Sequence, residues 1–100
     1  MYIAMNRFRV HAGRESDFEK TWAQRESYLD EVDGFVEFHL LRGATADDIT
    51  RYVSHSVWES HAAFEAWTRS EAFRKAHGSA GGSKGAVAGH PEFEGYEVVL

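Results

Sequence analysis

One asparagine stands out in a segment that is otherwise typical of a β-strand. Tyr2 to Val10 alternate with period two, and this pattern puts Asn6 on the same face as Phe8 and Val10. Asparagine is uncommon in strands, and a buried carboxamide needs hydrogen-bonding partners. Two interpretations remain open. The Asn6 amide is satisfied by neighbouring backbone or water, or it binds a ligand in a pocket between the sheet and the helices.

His77 lies at the predicted end of a helix, directly before Gly78. An imidazole there either stabilises the helix terminus or serves as an axial ligand of haem iron. The other histidines are scattered, with no spacing typical of a metal site. A single histidine without a second protein ligand suits a macrocycle that supplies four nitrogens of its own, and suits a bare zinc ion poorly.

Trp67 also allows two interpretations. It shares a predicted helix face with Ala63 and Phe64, which is the spacing of a core residue. The same position would let the indole form the wall of a cofactor pocket. No nucleophile elbow, Walker loop or dinucleotide-binding motif is found, so the residues alone leave the substrate unnamed.

The first half of the chain is predicted to hold three strands and one helix. After the strand to Val10, a helix is expected from about Asp17 to Val32, with Ser16 and Glu19 as a capping box and Gly34 as the stop signal. Strands are expected over 35–42 and 49–59, with 43–48 as the loop of an antiparallel hairpin.

The second half is predicted to be mainly helical until its last strand. Ser60 is expected to cap a helix through Trp67, and Ser70 to cap a second short helix that ends at Gly78. The glycine-rich stretch 78–92 is predicted to be a flexible loop before a final strand over 93–100. The order β-α-β-β-α-α-β predicts one α+β domain over 1–100, with a ferredoxin-like antiparallel sheet.

The sheet face away from the helices is expected to be more apolar than that of a small monomer. A two-fold homodimer that pairs two such faces into an α/β-barrel would bury it. The residues predicted on this face are Ile3, Met5, Val53 and Val57, among Arg7, Arg9 and His55.

Composition excludes several classes of protein. The chain of 100 residues contains no cysteine, which removes disulfides, thiolate metal sites and cysteine nucleophiles and favours a cytoplasmic location. A net charge of −5 and the lack of a basic stripe argue against nucleic-acid binding. No segment approaches the length needed to span a membrane, so no membrane association is expected.

Together, these motifs resemble the IsdG-type haem-degrading monooxygenases of the antibiotic biosynthesis monooxygenase superfamily. The similarity extends from Tyr2 to about Gly78. Its specific part is the combination of Asn6, Trp67 and His77. The motifs that carry the resemblance are Asn6-Arg7-Phe8, Gly34-Phe35, Val57-Trp58-Glu59-Ser60 and the run Phe64-x-x-Trp67-x-x-Ser70-x-x-Phe73-x-x-x-His77. Of these, Val57-Trp58-Glu59-Ser60 and Phe64-x-x-Trp67 are only fold markers of the wider superfamily.

The resemblance implies a role for each of these residues. His77 would be the proximal ligand of haem iron, Asn6 would hydrogen-bond on the distal side, and Trp67 would press the porphyrin out of plane. Arg25 matches a position that approaches a haem propionate, although a solvated helix charge explains it equally well. Haem would be both cofactor and substrate, opened to a bilin with release of iron by O₂ and electrons from an external reductase.

Two alternatives to haem degradation remain. Relatives within the superfamily oxidise quinol-like or polyketide aromatics with O₂ and without haem or metal, in which case His77 would be a helix cap. A non-catalytic module that stores or transfers haem would also account for the same residues.

Overall fold

The computed structural model describes residues 1–24, 29–71, 73 and 85–100. Its strands are β1 (Tyr2–His11), β2 (Phe35–Ala46), β3 (Ile49–Trp58) and β4 (Glu92–Glu97), and its helices are α1 (Glu15–Gln24) and α2 (His61–Thr68). The strands form one antiparallel sheet in the order β2-β3-β1-β4. The predicted α+β class and ferredoxin-like antiparallel sheet are confirmed.

The predicted inner face of β1 is also confirmed. Tyr2, Ala4 and Val10 are buried toward the helices, whereas Arg7 and Arg9 are exposed on the other side. Alternate side chains of a strand point to the same side of a sheet. The apolar side chains on the inner face of this sheet form two clusters. One cluster is Tyr2, Ala4, Leu29, Trp58 and Trp67, and the other is Val10, Phe18, Tyr52 and Ala86.

The predicted start of the first helix is wrong. Helix α1 begins at Glu15, and Ser16 with Glu19 does not form a capping box. The Glu15 carboxylate instead accepts a hydrogen bond from the Gly13 N–H at 2.6 Å, while Glu19 accepts from Tyr52 on the sheet. The long-range contact with Tyr52 thus replaces the predicted capping role of Glu19.

The end of that helix also differs from the prediction. Residues 25–28, through which the helix was expected to continue, lie outside the described part. A 3₁₀ turn follows over Leu29–Glu31 in place of a helix to Val32. Gly34 adopts a φ of +83°, the left-handed conformation expected of a residue that ends a helical segment.

The β2–β3 hairpin is longer than predicted. β2 runs to Ala46, and a two-residue turn at Asp47 and Asp48, with φ of +52° and +61°, replaces the expected loop over 43–48. Two consecutive left-handed residues match the right-handed twist of a hairpin, and aspartate tolerates this conformation better than most residues. A register shift between Arg42 and Thr45 accommodates the extra length.

The helix α2 is capped as predicted. The Ser60 side chain accepts a hydrogen bond from the Ala63 N–H at 3.1 Å. Ser70 likewise accepts from the Phe73 N–H at 3.2 Å, as expected at the start of the second short helix. Most of that helix lies outside the described residues. No helix in the described ranges is long and apolar enough to cross a membrane.

The final strand is shorter than predicted and ends at Glu97. Its partner β1 begins at Tyr2, and only the Val98 N–H continues the pairing, with a 2.9 Å hydrogen bond to the Met1 carbonyl. The stretch 78–92 was predicted to be flexible, and residues 78–84 of it lie outside the described part. The remainder contacts β1, because Val87 forms a bridge with Val10 and Ala86 is buried.

Candidate active site

A cavity of about 480 Å³ lies between the inner face of the sheet and the helices. This volume is within the usual range for small-molecule sites. Most of its lining is apolar or aromatic, and its polar groups are few. The lining residues are Ala4, Asn6, Trp22, Leu29, Phe38, Ser54, Ser56, Phe64, Trp67, Thr68, Phe73 and Phe93.

The floor of the cavity is formed by the sheet, with its polar groups in the two central strands. Asn6 of β1 and Ser54 of β3 are direct partners in the antiparallel pairing. The Asn6 carboxamide makes no hydrogen bond to any residue in the described ranges. Asn6 therefore keeps its full hydrogen-bonding capacity for a ligand or for water.

Aromatic side chains form the walls. Trp67 of α2 packs against Trp58 at a ring-centroid distance of 5.2 Å and meets Phe73 edge-on at 4.8 Å. Trp22 of α1 stacks on Phe38 of β2 at 5.6 Å, with 17° between the ring planes. Flat apolar walls of this kind favour a flat, largely apolar molecule.

A further aromatic pair stands at the outer edge of the cavity. Phe64 of α2 stacks on Phe93 of β4 at 5.6 Å, with 10° between the planes. Phe93 is 51% exposed, so this pair borders solvent. The pair therefore forms a hydrophobic rim that a ligand would contact as it enters.

A polar network fastens α1 to the sheet beside the cavity. The buried Tyr52 hydroxyl donates to the Glu19 carboxylate, which also accepts from Arg42 at 3.2 Å. Burial, followed by the hydrogen bond to Glu19, raises the pKa of Tyr52 to about 12. Thr50 donates to Glu15 at 2.8 Å. These contacts hold α1, and with it Trp22, in place.

The structure brings together two of the four residues singled out from the sequence. Asn6 and Trp67 line the same cavity, Asn6 from the floor and Trp67 from the α2 wall. His77 and Arg25 lie outside the described residues, so their placement stays a prediction. Within the described ranges, no group of three or more His, Asp or Glu side chains is arranged to bind a metal ion.

Ser54, Trp22 and Phe38 also line the cavity, although none of them is predicted as a site residue from the sequence. The period-two pattern of β3 places Ser54 on the same face as Tyr52, which was the available signal. Trp22 falls within the first predicted helix. Its stacking on Phe38 depends on how α1 crosses the sheet, which no local pattern specifies.

Comparison with known protein families identifies the class of protein to which the chain belongs. Residues 1–79 match the antibiotic biosynthesis monooxygenase family, and the chain belongs to this family of monooxygenase enzymes. The resemblance drawn from the motifs is thus confirmed.

Two individual relatives are similar to the chain over most of their length. The chain is 35% identical to a mycobilin-producing heme oxygenase of Mycobacterium tuberculosis over 98% of its length and 89% of that protein. It is 29% identical to a heme-degrading monooxygenase of Shouchella clausii over 98% of its own length and 90% of that protein.

Two solved structures are similar in fold. The heme-degrader MhuD of M. tuberculosis, with two hemes bound in its active site, superposes with a TM-score of 0.76 at 32% identity, covering 100% of this chain and 97% of that one. SnoaB, a cofactor-independent oxygenase from Streptomyces nogalater, gives 0.71 at 25% identity, covering 99% and 93%.

Proposed function

We propose that the chain is a cytoplasmic, single-domain haem-degrading monooxygenase. It binds haem as cofactor and substrate, opens the porphyrin to a bilin with O₂ and electrons from an external reductase, and releases iron. The observation that carries the proposal is that Asn6 and Trp67 line one aromatic cavity. The similarity to the mycobilin-producing heme oxygenase supports the choice of haem.

The residues of the cavity fit a porphyrin. The walls at Trp22 and Trp67 present flat apolar surface, while the floor offers the unsatisfied Asn6 carboxamide. Bound haem supplies the redox chemistry, and the protein supplies orientation and exclusion of water. Trp67 is held by Trp58 and Phe73, so it can resist displacement by a ligand that packs against it.

Each residue named from the sequence has a place in this proposal. When haem is bound, His77 would hold the iron, Arg25 would approach a propionate, and the Asn6 carboxamide would hydrogen-bond to the small ligand of the iron. Trp67 would press against the porphyrin. The protein acts as a homodimer in which each subunit has its own cavity.

A haemin titration tests the proposal. Wild type should develop a Soret band saturating at one haem per subunit, and His77→Ala should shift that band and abolish ring opening while the protein stays folded. The matched control is His90→Ala, because His90 is exposed and does not line the cavity. A helix-cap role for His77 predicts instead a loss of about 0.3–1 kcal/mol of stability and an unchanged haem spectrum.

The same titration separates the two alternatives. Absence of haem binding would favour a cofactor-independent oxygenase, for which the similarity to SnoaB is the specific observation. A stable Soret band that does not bleach with ascorbate or a reductase would favour a haem-binding module without catalytic activity. Bleaching with release of iron supports the proposed enzyme.

A further inference from the structure

We infer that the Ser54 hydroxyl is a second ligand-binding group in the cavity and acts beside Asn6. This inference rests on the proposed haem-degrading function. Ser54 and Asn6 are direct partners across β3 and β1, and both side chains line the cavity. Opposite Cβ atoms in an antiparallel pair lie about 4.5–5.5 Å apart, so the hydroxyl and the carboxamide can reach one small bound group.

Ser54 differs from the other polar residues on the inner face of β3. Each of those others has a hydrogen-bonding partner. Thr50 donates to Glu15 at 2.8 Å, and Tyr52 donates to Glu19. Ser56 donates to the Ala4 carbonyl at 3.3 Å and accepts from Trp58 at 2.9 Å. Ser54 is only 5% exposed as a residue, and it lines the cavity without a hydrogen bond from its hydroxyl to any part of the chain that the structure describes. A hydroxyl at the surface of a cavity can donate to and accept from a bound molecule, so this one is available to a ligand.

Apolar residues flank the pair formed by Ser54 and Asn6. In the register of the sheet, Leu40 lies next to Ser54 on β2, and Phe93 lies next to Asn6 on β4. Ser54 and Asn6 are therefore two adjacent polar groups between apolar neighbours. A flat molecule lying over this floor meets hydrogen-bond donors at one place, where a serine O–H and an amide N–H can both donate to a small anion or oxygen ligand.

Azide binding to the ferric haem complex tests this role, because azide is a small anion that accepts hydrogen bonds. Removing one hydrogen bond in Ser54→Ala should weaken azide binding by about tenfold. Ser54→Thr keeps the hydroxyl and should retain the azide affinity within about twofold, by the same reasoning. An Asn6→Ala and Ser54→Ala double variant should lose less than the product of the single losses, since neighbouring groups that share a ligand are coupled.

Stability of the haem-free protein gives a second, independent result. Ser54→Ala removes a hydroxyl without a partner, so the melting temperature should stay the same or rise. Ser56→Ala is the matched control on the same strand and face. Its hydroxyl bonds Ala4 and Trp58, and its loss should lower the melting temperature by roughly 4–8 °C.

Each possible result of these experiments supports or overturns the role inferred for Ser54. Azide affinity unchanged in Ser54→Ala would overturn the inference and leave the proposed function standing. A melting temperature lowered in Ser54→Ala as much as in Ser56→Ala would also overturn it, because loosening of the sheet would then explain the loss of azide affinity. Failure of the wild type to bind haem overturns the proposed function and the inference together.

Discussion

At the scale of single residues, the cavity combines polar groups that lack partners with aromatic groups that are firmly packed. Asn6 and Ser54 make no side-chain hydrogen bonds within the described ranges. Trp67, by contrast, is held by ring contacts with Trp58, Phe64 and Phe73. A site of this kind offers hydrogen-bonding groups at its floor and a well-packed wall at Trp67. In the proposed enzyme, this packing would let Trp67 press on a porphyrin without itself being displaced.

Trp67 variants test this mechanical role. Trp67→Ala should lose about 3–5 kcal/mol of stability through truncation in the core, and it should relax the bound porphyrin as well. Trp67→Phe should retain part of the distortion and part of the degradation rate. Paramagnetic NMR of the ferric cyanide complex reports the distortion, and single-turnover haem loss reports the rate.

Val10→Ala is the control for Trp67. Val10 is fully buried in the other apolar cluster and does not line the cavity. It should therefore lower stability without altering the porphyrin. If the degradation rate follows stability alone across these variants, Trp67 is a core residue and has no mechanical role.

At the scale of elements, the turn at Gly34 joins three of them at the end of the cavity. Gly34 directly precedes β2, and its carbonyl accepts from the Glu59 N–H at 2.8 Å just after β3. A Cβ built on Gly34 would lie 2.5 Å from the Ala63 Cβ on α2. The absence of a side chain at Gly34 thus allows α2, which carries Trp67, to pack closely against the sheet.

Gly34→Ala should destabilise the protein for two reasons. The φ of +83° costs a residue with a Cβ about 1–2 kcal/mol, and the contact with Ala63 adds to this cost. Gly13→Ala separates the two contributions, because Gly13 has a φ of +94° but open space around its Cβ position. Urea unfolding should show a larger loss for Gly34→Ala, and equal losses would mean that close packing against α2 contributes nothing.

At the scale of the whole molecule, the outer face of the sheet is the surface that a second subunit would cover. The register places Ile3 opposite Val57 and Leu41 opposite Val53 on this face, with Arg7 bound to Glu92 at 2.6 Å. Leu41 is 46% exposed, Ile3 and Val53 are partly exposed, and Val57 is already buried within the single subunit. The exposed part of this apolar surface favours association with a second copy.

Leu41→Glu should break the proposed dimer. Leu41 is exposed in the single subunit, so the change should leave its fold intact, whereas a buried, unpaired charge at an interface costs roughly 2–5 kcal/mol. Sedimentation velocity should show the dimer dissociating at a concentration at least about 30-fold higher than for wild type. Val99→Glu, in the exposed segment after β4, is the control. A wild-type protein that sediments as a monomer at micromolar concentration would contradict the dimer.

Local patterns in the sequence were sufficient for the features that depend on neighbouring residues. The alternation of β1 placed Asn6 on the inner face, Ser60 was identified as a helix cap, and Gly34 as a stop signal. These features follow from the period of side-chain direction and from backbone conformation, both of which act over a few residues. The order of elements, and hence the fold class, follows from them.

Tertiary structure alone decided the features that depend on distant partners. Glu19 had no visible reason in the sequence to leave the capping box predicted with Ser16, but the Tyr52 hydroxyl lies within its reach once α1 packs on the sheet. Ser54 became a candidate ligand-binding group only because the register sets it opposite Asn6 and leaves its hydroxyl without a partner in the described chain. Long-range pairing decides which polar groups are satisfied and where a cavity remains, because burial and hydrogen bonding depend on spatial neighbours that local spacing does not specify.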